Sequence, residues 1–353
     1  MKKSQRAESP KSSAEEPRGG PGRLIQDVAH LGRMELLTPK FDKSLWYFRD
    51  VLGMEIVHER GPSAYLRGYG DHAASTLKLT AAGAAGPGCI SWRTVSRDAL
   101  ERRAAAIAET GLGLGWSDED YGRGRAYRFR DPDGHLMELY YDEQKYEPPP
   151  ELRSSLRNLP MKYTGRGACV RRIDHLALMA RDVPRNREFL QSRLGFQLRE
   201  QVRFQDGTVE LGSWLSANAI HHQVAYVLDV AGGAGRLHHF SFWVDEREDV
   251  LRAADILMEN GIFIEAGPSK HNNSQGFYLY SYEPGGNRIE VYSESYLVLA
   301  PDWQPVIWNE EQRGTGVYWG APLPESFITY ATPPMESKAA VEASRNIPVL
   351  DPR

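Results

Sequence analysis

Histidine side chains are concentrated in the second half of this chain. Six of the ten histidines fall within fewer than a hundred residues, and they are His175, His221, His222, His238, His239 and His271. One histidine on a strand is more often structural than functional, but a cluster of this size favours a site. Because neutral imidazole binds metals and carries protons near neutral pH, this region is the first place to look for chemistry.

Two strand patterns indicate which member of the pair at 238 and 239 faces a site. The segment IDHLALMARD can be superposed on LHHFSFWVDE, which places His175 opposite His239. Neighbouring strand residues point to opposite faces. We therefore expect His239 to share its face with Ser241 and Trp243, and His238 to face away from the site.

A third candidate lies in the last strand of the pattern, NRIEVYSE. Glu290 stands between Ile289 and Val291, and a carboxylate buried on a central strand is costly without a compensating cation. An exposed strand glutamate is the alternative. With His175 and His239, a buried Glu290 completes a set of two histidines and one carboxylate. Such a set leaves coordination positions open and is typical of non-haem Fe(II) oxygenases.

Bulk properties exclude several classes of protein. The chain has 353 residues, 41% of them hydrophobic, and a formal net charge of -4, which gives no reason to expect nucleic acid or an anionic membrane as a partner. No apolar run approaches the roughly 18 residues of a membrane span, and the N-terminus lacks the apolar core of a signal peptide. Two cysteines, Cys89 and Cys169, are interpreted as packing residues. We expect a cytoplasmic protein.

An internal repeat predicts the fold class. GRMELLTPKFDKSLWYFRDVLGMEI and DHLALMARDVPRNREFLQSRLGFQL each read as a strand, a helix and a stop before another strand. Two further helix starts follow the strands CISWRTV and HHFSFWV. Four copies of a βαβββ unit of roughly 55 residues account for most of the chain, which predicts an α+β protein with modules paired into two domains.

The composition sets the expected domain boundaries. The predicted order is a disordered N-terminal extension (1–23), an N-terminal domain of two modules without metal (24–146), a linker (147–168), a C-terminal catalytic domain with the metal site (169–325) and a C-terminal tail (326–353) that wraps the surface or frays. The aromatic-rich segment APDWQPVIWNEEQ is expected to cap the pocket or a subunit contact.

The first half provides an internal comparison. Its equivalent of His175 is Arg33, the strand CISWRTV has no histidine, and only Glu138 remains of the three ligands. One carboxylate facing an arginine is not a metal site, so this half is interpreted as a structural copy. No functional role is assigned to His30, His58, His72 and His135.

The chain resembles the type I extradiol ring-cleavage dioxygenases, the catechol 2,3-dioxygenase group of the vicinal oxygen chelate superfamily. The resemblance covers roughly residues 25–325 and is strongest in GRLHHFSFWVDEREDVLRAADILMENGIFIEAGPSKHNNSQGFYLYSYEPGGNRIEVY. It implies a glyoxalase/bleomycin resistance/extradiol dioxygenase-like fold. It also implies that His175, His239 and Glu290 bind Fe(II), with Mn(II) the metal in some relatives.

The resemblance further implies acid-base and hydrogen-bonding roles for His222, His271 and Tyr280. Strand alternation in NAIHHQVAY cannot choose between His221 and His222, and the family's His-Asp-Val-Ala run selects His222. Gln223 stands where an acidic residue is common in the family, which removes a charge near His222.

The remaining pocket residues are less specific. His271 lies in PSKHNNSQG, interpreted as a loop that closes over substrate, with a solvent-facing histidine as the alternative. Tyr280 alternates with Tyr278 and Tyr282 on one face, so some of these tyrosines are packing residues. Trp214 would wall the pocket or lie in the core, and Asn273 would contact a ring substituent.

The predicted function is extradiol (meta) cleavage of a catechol-type diol with O2 by a homo-oligomeric enzyme, tetrameric by resemblance. Two alternatives remain at this point. A metal-dependent isomerase or lyase of the same superfamily would need a fourth protein ligand or a general-base glutamate near the metal. A metal-free protein that binds aromatic compounds would not need the three ligand types.

Overall fold

The computed structural model describes residues 26–313 and 316–334, so the predicted N-terminal extension lies outside the described residues. The strands of the first half are β1 (Val28–Thr38), β2 (Glu55–Arg60), β3 (Ser63–Arg67), β4 (Leu77–Ala81), β5 (Gly86–Thr94), β6 (Gly113–Ser117), β7 (Ala126–Arg130) and β8 (Leu136–Tyr140). Those of the second half are β9 (Arg172–Ala180), β10 (Gln197–Phe204), β11 (Val209–Ser216), β12 (Val224–Leu228), β13 (Arg236–Trp243), β14 (Ile264–His271), β15 (Phe277–Tyr282), β16 (Arg288–Ser293), β17 (Val306–Trp308) and β18 (Val317–Trp319).

Short helices connect these strands. The α-helices are α1 (Phe41–Trp46), α2 (Arg97–Ala108), α3 (Val183–Phe189), α4 (Arg247–Glu259), α5 (Glu310–Arg313) and α6 (Ser326–Thr329). Helices α1 and α3 each continue into a π-helical turn, at Tyr47–Val51 and Leu190–Leu194. A 3-10 turn at Pro150–Leu152 lies between the two halves.

The strand order confirms the predicted module repeat. The first sheet runs β2-β3-β4-β1-β5-β8-β7-β6, and the second runs β17-β10-β11-β12-β9-β13-β16-β15-β14-β18. In each module the first strand lies beside the fourth, and two modules join through their antiparallel first strands, β1 with β5 and β9 with β13. The architecture is therefore α+β with paired βαβββ modules, as the repeats predict, whereas the predicted domain boundaries stay predictions.

Helix capping explains why the two predicted helix starts form where they do. Ser96 accepts a hydrogen bond from the Ala99 amide at the start of α2. At α4, Glu246 and Asp249 form a reciprocal capping box that satisfies amides left free by the first turn. Val250 begins the buried face that holds α4 on the second sheet.

The two sheets share one hydrophobic core. The Trp92 ring of the first half meets the Phe196 ring of the second at 5.0 Å, edge to face. Phe48 lies 6.1 Å from Phe242 by ring centroids across the same boundary. Such contacts pack the second sheet, which carries the candidate site histidines, against the first half. In the part of the chain that the structure describes, no helix is long and apolar enough to cross a membrane.

The C-terminal segment, meaning the described residues between 306 and 332, returns over the second sheet. Strand β17 pairs with β10 at one edge, and β18 pairs with β14 at the other. Farther along, Thr332 forms a β-bridge with Leu237 of β13. The described part of the predicted tail therefore packs on the strand that carries His239, whereas residues 335–353 of that tail lie outside the described residues.

We predict that Trp92→Ala lowers the free energy of unfolding by about 3–5 kcal/mol, because it opens a cavity in the core that joins the two halves. Urea unfolding followed by fluorescence and circular dichroism measures this loss. The matched control is Trp116→Ala, since Trp116 is 41% exposed and its loss should cost under about 1 kcal/mol. Equal losses in the two variants would contradict a shared core.

Candidate metal centre

Three side chains converge on neighbouring strands at the centre of the second sheet. His175 lies on β9, His239 on β13 and Glu290 on β16, and one ligand atom of each lies within 4.8 Å of the other two. His175 Nε2 is 2.8 Å from Glu290 Oε2 and 3.4 Å from His239 Nε2, which is itself 3.7 Å from Glu290 Oε2. The predicted triad is therefore assembled, and all three side chains are buried.

The surroundings of Glu290 require a cation. Neither of its carboxylate oxygens accepts a hydrogen bond of normal geometry from the described part of the chain, although the residue is 0% exposed. A buried carboxylate in that state is strongly destabilising. The three ligand atoms lie 2.8 to 3.7 Å apart, and two imidazoles with one carboxylate are a donor set that would hold a divalent metal ion. The donor set fits a divalent metal ion with open positions.

Asp174 sets the orientation of the His175 ring. Asp174 Oδ2 lies 2.8 Å from His175 Nδ1, and a carboxylate can only accept a hydrogen bond. Nδ1 therefore keeps its proton when a metal binds, and Nε2, which lies 2.8 Å from Glu290 Oε2, is the nitrogen that gives up a proton to become a ligand. Carboxylates commonly orient metal-binding histidines in this way.

His238 does the same for His239, which corrects the prediction that His238 faces away. Strand β13 gains one residue relative to β9 between Leu237 and His239, so alternation breaks at His238 and its ring reaches the cavity. His238 Nε2 donates to the Phe327 carbonyl at 2.6 Å, which leaves His238 Nδ1 to accept from His239 Nδ1 at 2.7 Å. The Nε2 lone pair of His239 then faces the triad.

Burial and neighbouring charges separate the pKa values of the three ligands. Burial lowers the pKa of His175, but Glu290 and Asp174 outweigh it and raise this pKa to about 9. Burial lowers the pKa of His239 to about 3. Burial raises the pKa of Glu290, but the adjacent His175 outweighs it and holds this pKa well below its usual range.

A cavity opens beside the triad. Most of its wall is apolar, and residues on that wall include Val202, Leu211, Trp214, Val227, Trp308 and Phe327. Asn273 also lines it, so the structure places both Trp214 and Asn273 where the sequence predicts pocket residues. Among the described residues of the wall there is no lysine or arginine.

His222 lies at the cavity beside the triad. Its ring centroid is 4.0 Å from that of His175, and burial lowers the pKa of His222 well below its usual range, so the imidazole is neutral. The prediction from strand alternation does not apply here, because β12 begins only at Val224. Gln223 accepts from the Ala217 amide at 3.2 Å, which assigns its side chain to the loop.

His271 and Tyr280 form a pair beside Glu290. Tyr280 Oη donates to His271 Nε2 at 3.2 Å, and His271 Nδ1 donates to the Gly316 carbonyl at 3.2 Å. The prediction that His271 lies in a loop is wrong, because pairing with β18 extends β14 through His271. The His271 ring is also stacked on Tyr278 with centroids 3.8 Å apart, which makes it a fixed wall residue.

Sequence reasoning missed the groups behind the ligands. Asp174, His238 and Phe327 orient metal-binding rings, and His221 and Glu200 lie behind His222. The only sequence signal for His221 and His238 is that each immediately precedes a predicted site histidine.

The first half keeps the carboxylate but replaces the metal with a guanidinium group. Arg123 Nε lies 2.8 Å from Glu138 Oε1, and both side chains are buried. The sequence pairs Glu138 with Arg33, but Arg33 instead pairs with Asp120 at 3.0 Å. The prediction of a structural copy agrees with this arrangement.

Comparisons with known proteins agree with this geometry. The model of the glyoxalase/bleomycin resistance protein/dioxygenase superfamily matches residues 29–139 and 172–291. A metapyrocatechase of Geobacillus stearothermophilus is 43% identical over 312 residues, 88% of this chain and 95% of the relative. A manganese-dependent 2,3-dihydroxybiphenyl 1,2-dioxygenase of Geobacillus genomosp. 3 is 38% identical over 303 residues, 85% of this chain and 96% of the relative.

Solved structures show the same likeness. The 2,3-dioxygenase LapB of Pseudomonas sp. KL28 superposes with a TM-score of 0.75 at 27% identity, covering 81% of this chain and 98% of that one. Homoprotocatechuate 2,3-dioxygenase of Arthrobacter globiformis superposes with a TM-score of 0.76 at 27% identity, covering 88% of this chain and 94% of that one.

We predict that binding of one divalent ion at pH 7 releases about one proton. The pKa of His175 is raised to about 9, so the metal must displace its proton, whereas His239 is already neutral and Glu290 already ionised. The affinity for the metal ion should rise about tenfold for each unit of increasing pH and level off near pH 9. Anaerobic calorimetry in buffers of different ionisation enthalpy measures the proton count, and zero or two protons would contradict these assignments.

We predict that His239→Ala abolishes metal retention, whereas His238→Ala weakens metal affinity by about 10–100-fold, because it removes only the acceptor that orients His239. Metal content after dialysis against a graded chelator distinguishes the two. His58→Ala, on β2 of the first sheet, is the control and should retain full metal content. Equal loss in the 238 and 239 variants would contradict the division into ligand and orienting residue.

Proposed function

The chain belongs to the glyoxalase/bleomycin resistance protein/dioxygenase superfamily and is an extradiol dioxygenase, and from that membership we propose that its metal is Fe(II) and its substrate an uncharged catechol. Enzymes of this kind break the ring bond beside the two hydroxyl-bearing carbons and place both atoms of O2 in the product. The observation that carries the proposal is the convergence of His175, His239 and Glu290 at an open cavity.

Fe(II) is favoured by the ligand set. Two imidazoles and one carboxylate that leave coordination positions free are typical of non-haem Fe(II) oxygenases. When bound, such an ion supplies a Lewis acid that favours the ionised diol and a centre at which the diol and O2 can both bind. The relative named as manganese-dependent makes Mn(II) the competing assignment.

Residues on two sides of the triad can transfer protons or donate hydrogen bonds to the substrate. His222 is neutral and borders His175, so it can take a proton from a substrate hydroxyl and return it to an oxygen atom later in the reaction. His271 and Tyr280 lie on the Glu290 side, where Tyr280 is within hydrogen-bond distance of His271. We propose that this pair orients the diol and stabilises developing negative charge on its oxygens.

The cavity wall supports an uncharged substrate. A catechol bearing a carboxylate would bury that charge against Val202, Leu211, Trp214 and Phe327 without a lysine or arginine among the described wall residues. Alkyl and aryl substituents, in contrast, match these side chains. Asn273 is a polar group that can orient a substituent at the mouth. The predicted cytoplasmic location and tetrameric assembly stay predictions.

We predict that catechol and 3-methylcatechol are turned over with kcat/KM at least about 100-fold above 3,4-dihydroxybenzoate, because the carboxylate has no cationic partner in the cavity. Oxygen uptake and the yellow ring-opened product measure the rates. The neutral methyl ester of the same acid controls for shape and should recover most of the loss. Comparable rates for the acid would contradict the substrate class, and no oxygen uptake with any diol would contradict ring cleavage.

The metal assignment has its own test. We expect the metal-free chain, reloaded anaerobically to equal occupancy, to be active with Fe(II) and at least about 10-fold less active with Mn(II), because the ligand set is that of Fe(II) oxygenases. Equal or greater activity with Mn(II) at matched occupancy would overturn the Fe(II) assignment and leave the ring-cleavage activity in place.

A further inference from the structure

A second pair of adjacent histidines, His221 and His222, leads away from the cavity to a buried carboxylate. His222 Nδ1 lies 2.8 Å from His221 Nδ1, and His221 Nε2 lies 2.9 Å from Glu200 Oε1. His221 and Glu200 are only 1% and 2% exposed. We propose that Glu200 and His221 are positioning residues that fix the tautomer of His222 and present its Nε2 to the cavity as a hydrogen-bond acceptor.

The Glu200 carboxylate is the acceptor at the far end of these contacts. Glu200 receives hydrogen bonds from His221 Nε2, from Tyr296 Oη at 2.7 Å, from Trp308 Nε1 at 2.6 Å and from the Ser274 amide at 3.1 Å. Four donors stabilise the ionised form. Burial raises the pKa of Glu200, but the hydrogen bonds from His221 and the other donors outweigh it and hold this pKa below its usual range.

The position of each proton follows from that anion. A carboxylate only accepts, so the proton of neutral His221 is on Nε2, and His221 Nδ1 carries a lone pair. Two nitrogens that both carry lone pairs repel each other at 2.8 Å, so His222 must carry its proton on Nδ1. Its Nε2 is then unprotonated. This is the form required to accept a proton from a diol hydroxyl.

The opposite tautomer is excluded by the same contacts. A proton on His222 Nε2 would require His221 to carry its proton on Nδ1, which would turn an unprotonated Nε2 towards the Glu200 carboxylate. Buried lone pairs in such contact are strongly unfavourable. His238 provides a precedent within the chain, because it holds His239 through an Nδ1–Nδ1 contact in the same way.

Strand β17 supplies the last of the groups that hold Glu200 in place. Trp308, its last residue, donates to Glu200 Oε2 and also lines the cavity. Val306 of β17 pairs with Glu200 along the backbone, and Trp308 follows two residues later, where it donates to the carboxylate. Glu200 is only 2% exposed, so little water can compete for its oxygens. The inference rests on the proposed role of His222, and its test separates the two.

The first measurement is the tautomer itself. Long-range proton-nitrogen NMR is recorded on the full chain with 15N-labelled histidine, loaded with diamagnetic Zn2+, and His222 is assigned from the spectrum of His222→Gln. We expect the proton on Nδ1 of His222. A proton on Nε2 would overturn the proposal whatever the activity of the enzyme.

The second measurement uses variants of the positioning residues. Glu200→Gln should populate both tautomers of His222 and lower kcat for catechol by about 10-fold or more, with metal content and anaerobic catechol affinity unchanged. His221→Leu should do the same, and His221→Asn should recover part of kcat because its Oδ1 can accept from His222 Nδ1. Glu210→Gln is the matched control, since Glu210 is a carboxylate of the same module that pairs with Arg187.

The outcomes are distinct. If Glu200→Gln or His221→Leu changes neither the tautomer nor kcat, the proposal is wrong and the network is only structural. If wild-type enzyme cleaves catechol but His222→Gln is fully active, the assigned role of His222 fails while the tautomer result still stands. If Glu200→Gln does not fold, the comparison of kcat between His221→Leu and His221→Asn tests the proposal instead.

Discussion

The structure of the second half depends on one buried negative charge. Glu290 lies on a central strand, is fully enclosed and accepts no hydrogen bond of normal geometry from the described residues, so its stability requires a cation. His175 and His239 bring two nitrogen ligand atoms to the same point. The equivalent carboxylate of the first half, Glu138, meets the same requirement with the guanidinium of Arg123. One fold therefore solves one electrostatic problem in two ways, and only the solution with open coordination positions can bind a diol and O2.

Control over proton positions explains the arrangement around this charge. His175, His239 and His222 each have Nδ1 engaged from behind, by Asp174, His238 and His221 respectively, which leaves Nε2 of each ring for the centre. The groups at the far ends of these contacts, the Glu200 carboxylate and the Phe327 carbonyl, can only accept hydrogen bonds. The orientation of these rings is therefore determined by acceptors that lie behind them.

The sequence was sufficient where local pattern decides the structure. Superposed repeats predicted the modules, and the same superposition selected His175 and His239, because strand alternation holds for most of β9 and β13. Prediction from local pattern failed at His238, where an extra residue in the strand breaks alternation. It also failed at His271, where pairing with a distant strand extends β14. Glu200, Trp308 and Phe327 could not be predicted as partners, since their contacts join residues about 20 to 110 positions apart.

The position of the C-terminal segment along the chain has a consequence for synthesis. Every strand that carries a triad ligand ends by Ser293, whereas Trp308, Phe327 and the bridge at Thr332 follow later. A ribosome-bound chain can therefore fold its ligand strands before the residues that enclose them have emerged. The residues that close the centre therefore join the fold only after all three ligand strands have been made.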